Sequence, residues 1–334
     1  MKLQFCILLS FLLLTNSLVF SQYIFPYTIF TESNRKASLS NFEISGNHLY
    51  FPLGEDGLKI YNIEDPTNFE LVGEYEEFEK RSRKKTFGTA NKIIVKGDTA
   101  FLSYGDLGLK ILSVEDPSMP FVLGTYYRHH PVYCTAIYKN FAVVGMEKLG
   151  IEIVNYSNLE DIKMVSRNNL KDFPTQNIII QPPYIIVTGK NRGLNTFKFG
   201  EPFTEFKISG FPKEYLPDND ANKLIIVGKT GYLANDFRGL TILSMGLPLY
   251  PLELSNIKTT GDALDVLVKN NYAYVATDKA IQVFDVSDPE QPRPVFEHKD
   301  RRKTFHHLKI EGNFLYASFT EGSKDYGIQI FQIE

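Results

Sequence analysis

Tryptophan is absent from this chain of 334 residues, and cysteine nearly so, with two. Cys6 falls in an apolar N-terminal stretch, which leaves Cys134 alone in the remainder. A single thiol excludes an internal disulfide framework and any paired-cysteine metal or redox motif. Neither sign of charge dominates. A formal net charge of −3 excludes a bulk polycation, so any basic function must come from local clustering. No phosphate loop, nucleophile elbow, paired-carboxylate motif or calcium loop of alternating oxygen ligands is written in the chain. No cofactor is therefore expected, and nucleic acid is disfavoured as a partner.

The N-terminus reads as a leader. Lys2 supplies a positive start, residues 5–14 an apolar core, and Val19-Phe-Ser21 a cleavage site. Thr15-Asn-Ser17 interrupts the apolar run before it reaches the roughly 20 residues of a membrane span. Residues 1–21 are expected to be a signal peptide and 22–334 a single exported domain, periplasmic, cell-surface or secreted, with no transmembrane segment once the leader is removed. Only Lys2 is charged in the leader, so the remainder carries −4. A domain of that size buries enough apolar surface to need no disulfide.

What is present is repetition. A β-rich run, a turn, a second apolar run, Gly-Leu or a variant, and an Ile/Val-rich strand recur seven times. The residue opening the second strand of each unit is Asn47, Asp98, Asn140, Pro183, Lys229, Asn271 and Asn313, at steps of 51, 42, 43, 46, 42 and 42. About 40–45 residues suit a four-stranded propeller blade. The long first step contains a charged insertion, residues 76–85. The chain is thus expected to be all-β, a seven-bladed β-propeller. The last unit has three strands, and residues 27–30 read as an orphan fourth strand, which predicts that the N-terminal strand closes the last blade.

The runs GLKIYNIEDP at 57–66, GLKILSVEDP at 108–117 and IQVFDVSDP at 281–289 resemble LVIVD repeats, as do Gly88-Thr-Ala90 and Gly261-Asp-Ala263 before first strands. The resemblance is tightest in units 1, 2 and 6 and looser where Asp-Pro is missing. It implies a secreted or cell-surface propeller of bacteria or archaea, and it carries no catalytic residue with it.

In such a fold the loops entering each first strand, and those between second and third strands, gather on one face. The entry loops hold Arg35 and Lys36; Lys80, Arg81, Arg83, Lys84 and Lys85; Arg128; and Lys299, Arg301, Arg302 and Lys303. The loop before blade 5, residues 213–220, is acidic. A basic half-face suited to carboxylate, sulfate or phosphate groups is the expectation. The expected function is a binding or scaffolding propeller that takes a protein or acidic, glycan-like polymer on this face.

The repeat register places Asn41, Lys92, Cys134, Asn177, Lys223, Asp265 and His307 around the channel mouth. The alternative function is an enzyme at the channel mouth, a hydrolase, lyase or metal-dependent oxidoreductase, which would rely on His130, His307, Asp265 and Lys92. His129, His130, His306 and His307 could converge on a metal, but neighbours on an extended strand point to opposite sides, so one of each pair would face away. No metal ligand set is assigned. Cys134 reads as a core or channel residue.

Overall fold

The structure, a computed structural model, describes residues 24–33, 41–81, 84–127, 130–146, 149–168, 170, 173–190, 193–200, 220–322 and 325–333. The proposed leader, Arg35, Lys36, Arg83, Arg128 and His129 lie outside the described residues. So do the side chains of Lys80, Arg81, Lys84 and Lys85, although their backbone is placed.

Among the described residues there is no helix. Seven antiparallel sheets follow one another along the chain, each a blade, and an eighth, two-stranded sheet pairs Phe78–Arg81 with Lys84–Phe87. The charged insertion is thus a hairpin set between blades 1 and 2. Blades 1 to 6 span residues 43–75, 92–126, 132–168, 175–198, 223–257 and 263–299. Blade 7 joins strands Lys303–Glu311, Phe314–Glu321 and Asp325–Ile333 to Ile24–Ser33, paired from Ile24 opposite Ile333 to Ser33 opposite Asp325. Blade 4 has three described strands.

The second and third strands are apolar at nearly every position because each blade is covered on both faces. In blade 2 all five residues of Leu109–Ser113 are buried. The buried apolar residues divide into seven clusters, one at each interface between adjacent blades. Seven interfaces for seven blades require a ring. The seventh interface packs Phe42, Ile44 and Phe51 of blade 1 and its entry against Tyr316, Tyr326 and Ile330 of blade 7. There Lys309 also pairs with Glu43.

The repeat signature has a local cause. Asp65, Asp116 and Asp288 each accept the backbone N–H two residues on, at 2.8, 2.9 and 3.0 Å. These are Asx turns, with proline fixing the intervening φ. The glycine of Gly-Leu is equally constrained. Gly108 has φ +82°, and a Cβ there would stand 2.2 Å from the Tyr126 carbonyl oxygen. Only glycine fits both the left-handed backbone and the close approach.

The innermost strands face the central channel, and their order around it follows the sequence. Loops between second and third strands lie on the same face as the entry segments: Gly54 bridges to Ala90, Gly105 to Val132 and Asp236 to Ala263. This face carries the candidate site.

Candidate functional site

At the entry mouth lies a cavity of about 400 Å³, walled by blades 2 to 7. Two tiers of side chains line it. The lower tier comes from one ladder level: Lys92 stands opposite Ser103, Cys134 opposite Gly145, Asn177 opposite Thr188, Lys223 opposite Ala234, Asp265 opposite Ala276 and His307 opposite Ser318. Of these, Lys92, Lys223, Asp265 and His307 reach the cavity wall. Asn41 and Cys134 are buried away from it.

The upper tier comes from the residue just before: Asn91, Tyr133, Gln176, Asn222, Leu264 and His306 all line the cavity. Strict alternation would turn these side chains outward. In blades 3, 4, 6 and 7 they are the extra residue of a β-bulge, which breaks the alternation and re-aims the side chain. This corrects the expectation for the histidine pair: His306 and His307 both line the mouth. Repeat alignment could have found the upper tier as the position one before the lower, but nothing in the residue types marks a bulge.

Asp265 organises the lower tier. It is 1% exposed, and its carboxylate takes four donors. Oδ1 accepts from the Val266 amide at 2.8 Å and from Lys223 Nζ at 2.8 Å. Oδ2 accepts from the Leu308 amide at 2.8 Å and from His307 Nδ1 at 2.7 Å. Burial works to raise its pKa, but Lys223 and His307 outweigh burial and hold it well below the usual carboxylate range. His307 moves the other way: burial, then Lys223, depress its pKa against the opposing pull of Asp265. Its ring packs edge-on to Phe42, with centroids 5.1 Å apart.

Lys92 reaches from blade 2 to the Gln176 carbonyl of blade 4, at 3.1 Å. Burial lowers its pKa, with Lys223 acting in the same direction. Lys190, exposed, completes a set of three ammonium groups that, among the described residues, face a single carboxylate across the cavity. An acidic flank, Asp220, Asp236 and Asp262, lies beside Lys190. Burial and the two neighbouring carboxylates raise the pKa of Asp236, which Lys190 counters.

The described part of the basic half-face is largely spoken for. Lys299 pairs with Glu297 at 2.8 Å, and Arg302 lies 3.5 Å from Asp300 and 3.6 Å from Glu321. Lys303 is not a surface cation. It is 5% exposed, donates to Gln329 Oε1 at 3.0 Å and sits over the Phe319 ring. Its sequence neighbours disguise it, because only the ladder shows that it opens a buried strand. Arg301 remains exposed.

Two other readings find little support. Burial pushes the Cys134 thiol up to about 11, and it contacts the Thr175 carbonyl at 3.7 Å. A protonated, enclosed thiol is a poor nucleophile. Among the described residues no three His, Cys, Asp or Glu side chains group as a metal ligand set. His306 Nε2 is instead 2.8 Å from Thr320 Oγ1, His307 is held by Asp265, and His130 is exposed.

Comparison with known proteins agrees with this architecture. The LVIVD repeat model matches residues 38–77, 87–127 and 260–299, which are blades 1, 2 and 6 with their entry segments. No curated protein matches. Among solved structures, the Cps50 (Swd1) β-propeller domain of Myceliophteria thermophila superposes with a TM-score of 0.67 at 11% identity, over 91% of this chain and 98% of that one. The computationally designed Ika8 protein gives 0.62 at 8% identity, over 92% and 99%. At such identities the likeness concerns the fold alone. The chain carries LVIVD repeats in three of its blades and is folded as a seven-bladed β-propeller.

Proposed function

We propose that this propeller is an exported binding module whose entry mouth receives an anionic group, either a small acid or the acidic end of a polymer. One observation carries the reading: among the described residues, Lys92, Lys190 and Lys223 line a cavity of about 400 Å³ against the single carboxylate of Asp265. That volume lies in the range of small-molecule sites. Lys223 is partly committed to Asp265, which leaves Lys92 and Lys190 as the groups with charge to offer. The excess of positive charge disfavours a divalent cation in the same space. Among the described residues it is a firmer focus than the wider basic half-face, where Lys299, Arg302 and Lys303 are matched within the protein.

Isothermal titration of the purified protein with organic acids at two ionic strengths tests this. Binding should weaken about tenfold or more in Lys92→Ala and in Lys190→Ala, as for loss of a charge-assisted hydrogen bond. Salt-insensitive binding, or binding indifferent to both changes, would sink the reading. Export through residues 1–21 is part of the proposal, and cell fractionation with N-terminal sequencing of the product checks it.

A second reading has an observation of its own. The Asp265–His307 hydrogen bond is the arrangement that orients an imidazole for proton transfer. Turnover of a bound acid, lost in His307→Gln with binding retained, would favour an enzyme over a binding module.

A further inference from the structure

The polar groups of the mouth specify more than a charge. Asp265 is ionised and has no hydrogen to give, so the hydrogen of its 2.7 Å contact with His307 belongs to Nδ1. Burial and Lys223 keep the imidazole neutral in the physiological range. A neutral ring protonated on Nδ1 carries a lone pair on Nε2. The ring lines the cavity, and its protein contacts are Asp265 and Lys223 at Nδ1 and Phe42 at the ring. Among the described residues, Nε2 is therefore an acceptor without a protein donor. Across the same cavity the Thr175 hydroxyl, on a residue 5% exposed, also lacks a hydrogen-bond partner. Of the two, Nε2 belongs to the more open side chain, and an acceptor turned to the cavity beside the lysines suits a ligand that brings a hydroxyl with its charge.

A fully ionised inorganic anion satisfies the lysines and leaves Nε2 unpaired, because sulfate has no hydrogen to donate. A sugar satisfies Nε2 and leaves the lysines without a counter-charge. We infer that the mouth selects hydroxylated carboxylates, of the sugar-acid or hydroxy-acid class, with the carboxylate among Lys92, Lys190 and Lys223 and a nearby hydroxyl donating to His307 Nε2. The inference rests on the anion reading above and narrows it. Asp265 becomes a positioning residue, which fixes the tautomer and makes Nε2 an acceptor.

The test uses acid pairs that differ in hydroxylation: malate with succinate, and D-glucuronate with cyclohexanecarboxylate, with D-glucose and sulfate as controls. Affinities come from titration calorimetry on the full chain. At least one hydroxy acid should bind about tenfold tighter than its unhydroxylated partner, the worth of one buried hydrogen bond. His307→Phe keeps a ring against Phe42 but removes the acceptor. It should erase that ratio. A tetragalacturonate that binds tighter than the free sugar acid would assign the ligand to a polymer end, and equal affinity would assign it to a free acid. Equal affinities within both pairs overturn this inference and leave the anion reading standing. Failure of all four acids to bind, or glucose binding as tightly as glucuronate, overturns the anion reading and this inference together. The wild-type ratios decide the matter even if His307→Phe does not fold.

Discussion

Asn41 and Asp265 hold the same place in two blades and do the same backbone work with different chemistry. Each accepts the amide of the residue that follows the equivalent position in the next blade. Asn41 Oδ1 takes the Ile93 N–H at 2.9 Å, and Asp265 Oδ2 takes the Leu308 N–H at 2.8 Å. Both staple neighbouring innermost strands together. Asn41 is self-sufficient because its Nδ2 returns a bond to the Ile93 carbonyl, at 2.9 Å. The aspartate has an oxygen where asparagine has an NH₂ and a charge to neutralise, so it draws in Lys223 and His307. Exchanging NH₂ for O⁻ within one repeat position thus turns a structural staple into the centre of a polar site. The lesson is that a repeat fixes backbone geometry seven times, while chemistry is added at single positions where the repeat departs from itself.

The comparison can be broken most severely at its charged end. Asp265→Ala removes the acceptor of two amides and leaves Lys223 without its partner in a largely buried setting. Breaking such a pair costs about 3–5 kcal/mol, to be read from urea denaturation. A loss under about 1 kcal/mol would mean that Lys223 swings into solvent and that the constellation is loosely held. Asn41→Ala breaks the neutral staple. It strands one donor and one acceptor of Ile93, for an expected loss of about 1–3 kcal/mol in the same assay, clearly below the aspartate variant.

Acid sharpens the contrast. Burial holds His306 down to about 4, against an ordinary 6.5. Between these values the unfolded chain holds a proton that the folded chain does not. The stability linked to His306 is therefore complete above pH 6.5 and declines as pH falls toward 4. Asp265, also depressed, acts later: its share declines as pH falls through and below the ordinary 3.8. A pH series of melting temperatures should show both limbs in the native protein and only the first in Asp265→Asn. The smallest effect belongs to the repeat signature itself. Asp116→Ala loses an exposed turn bond to Ser118 and should lower the melting temperature less than any change above, with no effect on ligand affinity.

Much of the fold was legible because its cause is local and repeated. Asp-Pro at 65–66, 116–117 and 288–289 makes a turn wherever it occurs, and Gly108 is required by a backbone contact that its equivalents share. Three such units suffice to match the repeat model. The site was less legible. Lys303 looks like one more cation in a basic run, yet its side chain is enclosed between Gln329, Asp300 and Phe319. Glu152 sits unremarked in an apolar strand. In the fold it is wholly buried, where it pairs with Arg167 and accepts from Tyr126 Oη at 2.6 Å, so that it links blades 2 and 3.

The sequence by itself determined the strands, the turns, the number of units and the ladder level of each lower-tier residue, because hydrophobic spacing and turn chemistry act over a few residues. Only the tertiary structure decided which of those residues meet. The Asp265–Lys223–His307 contacts span 42 residues on either side of the aspartate and form only when three blades are set around one axis. The bulge that turns His306 into the mouth and the burial that silences Lys303 are likewise decided by strand pairing and packing within blade 7. Both depend on neighbours that no local window of sequence contains.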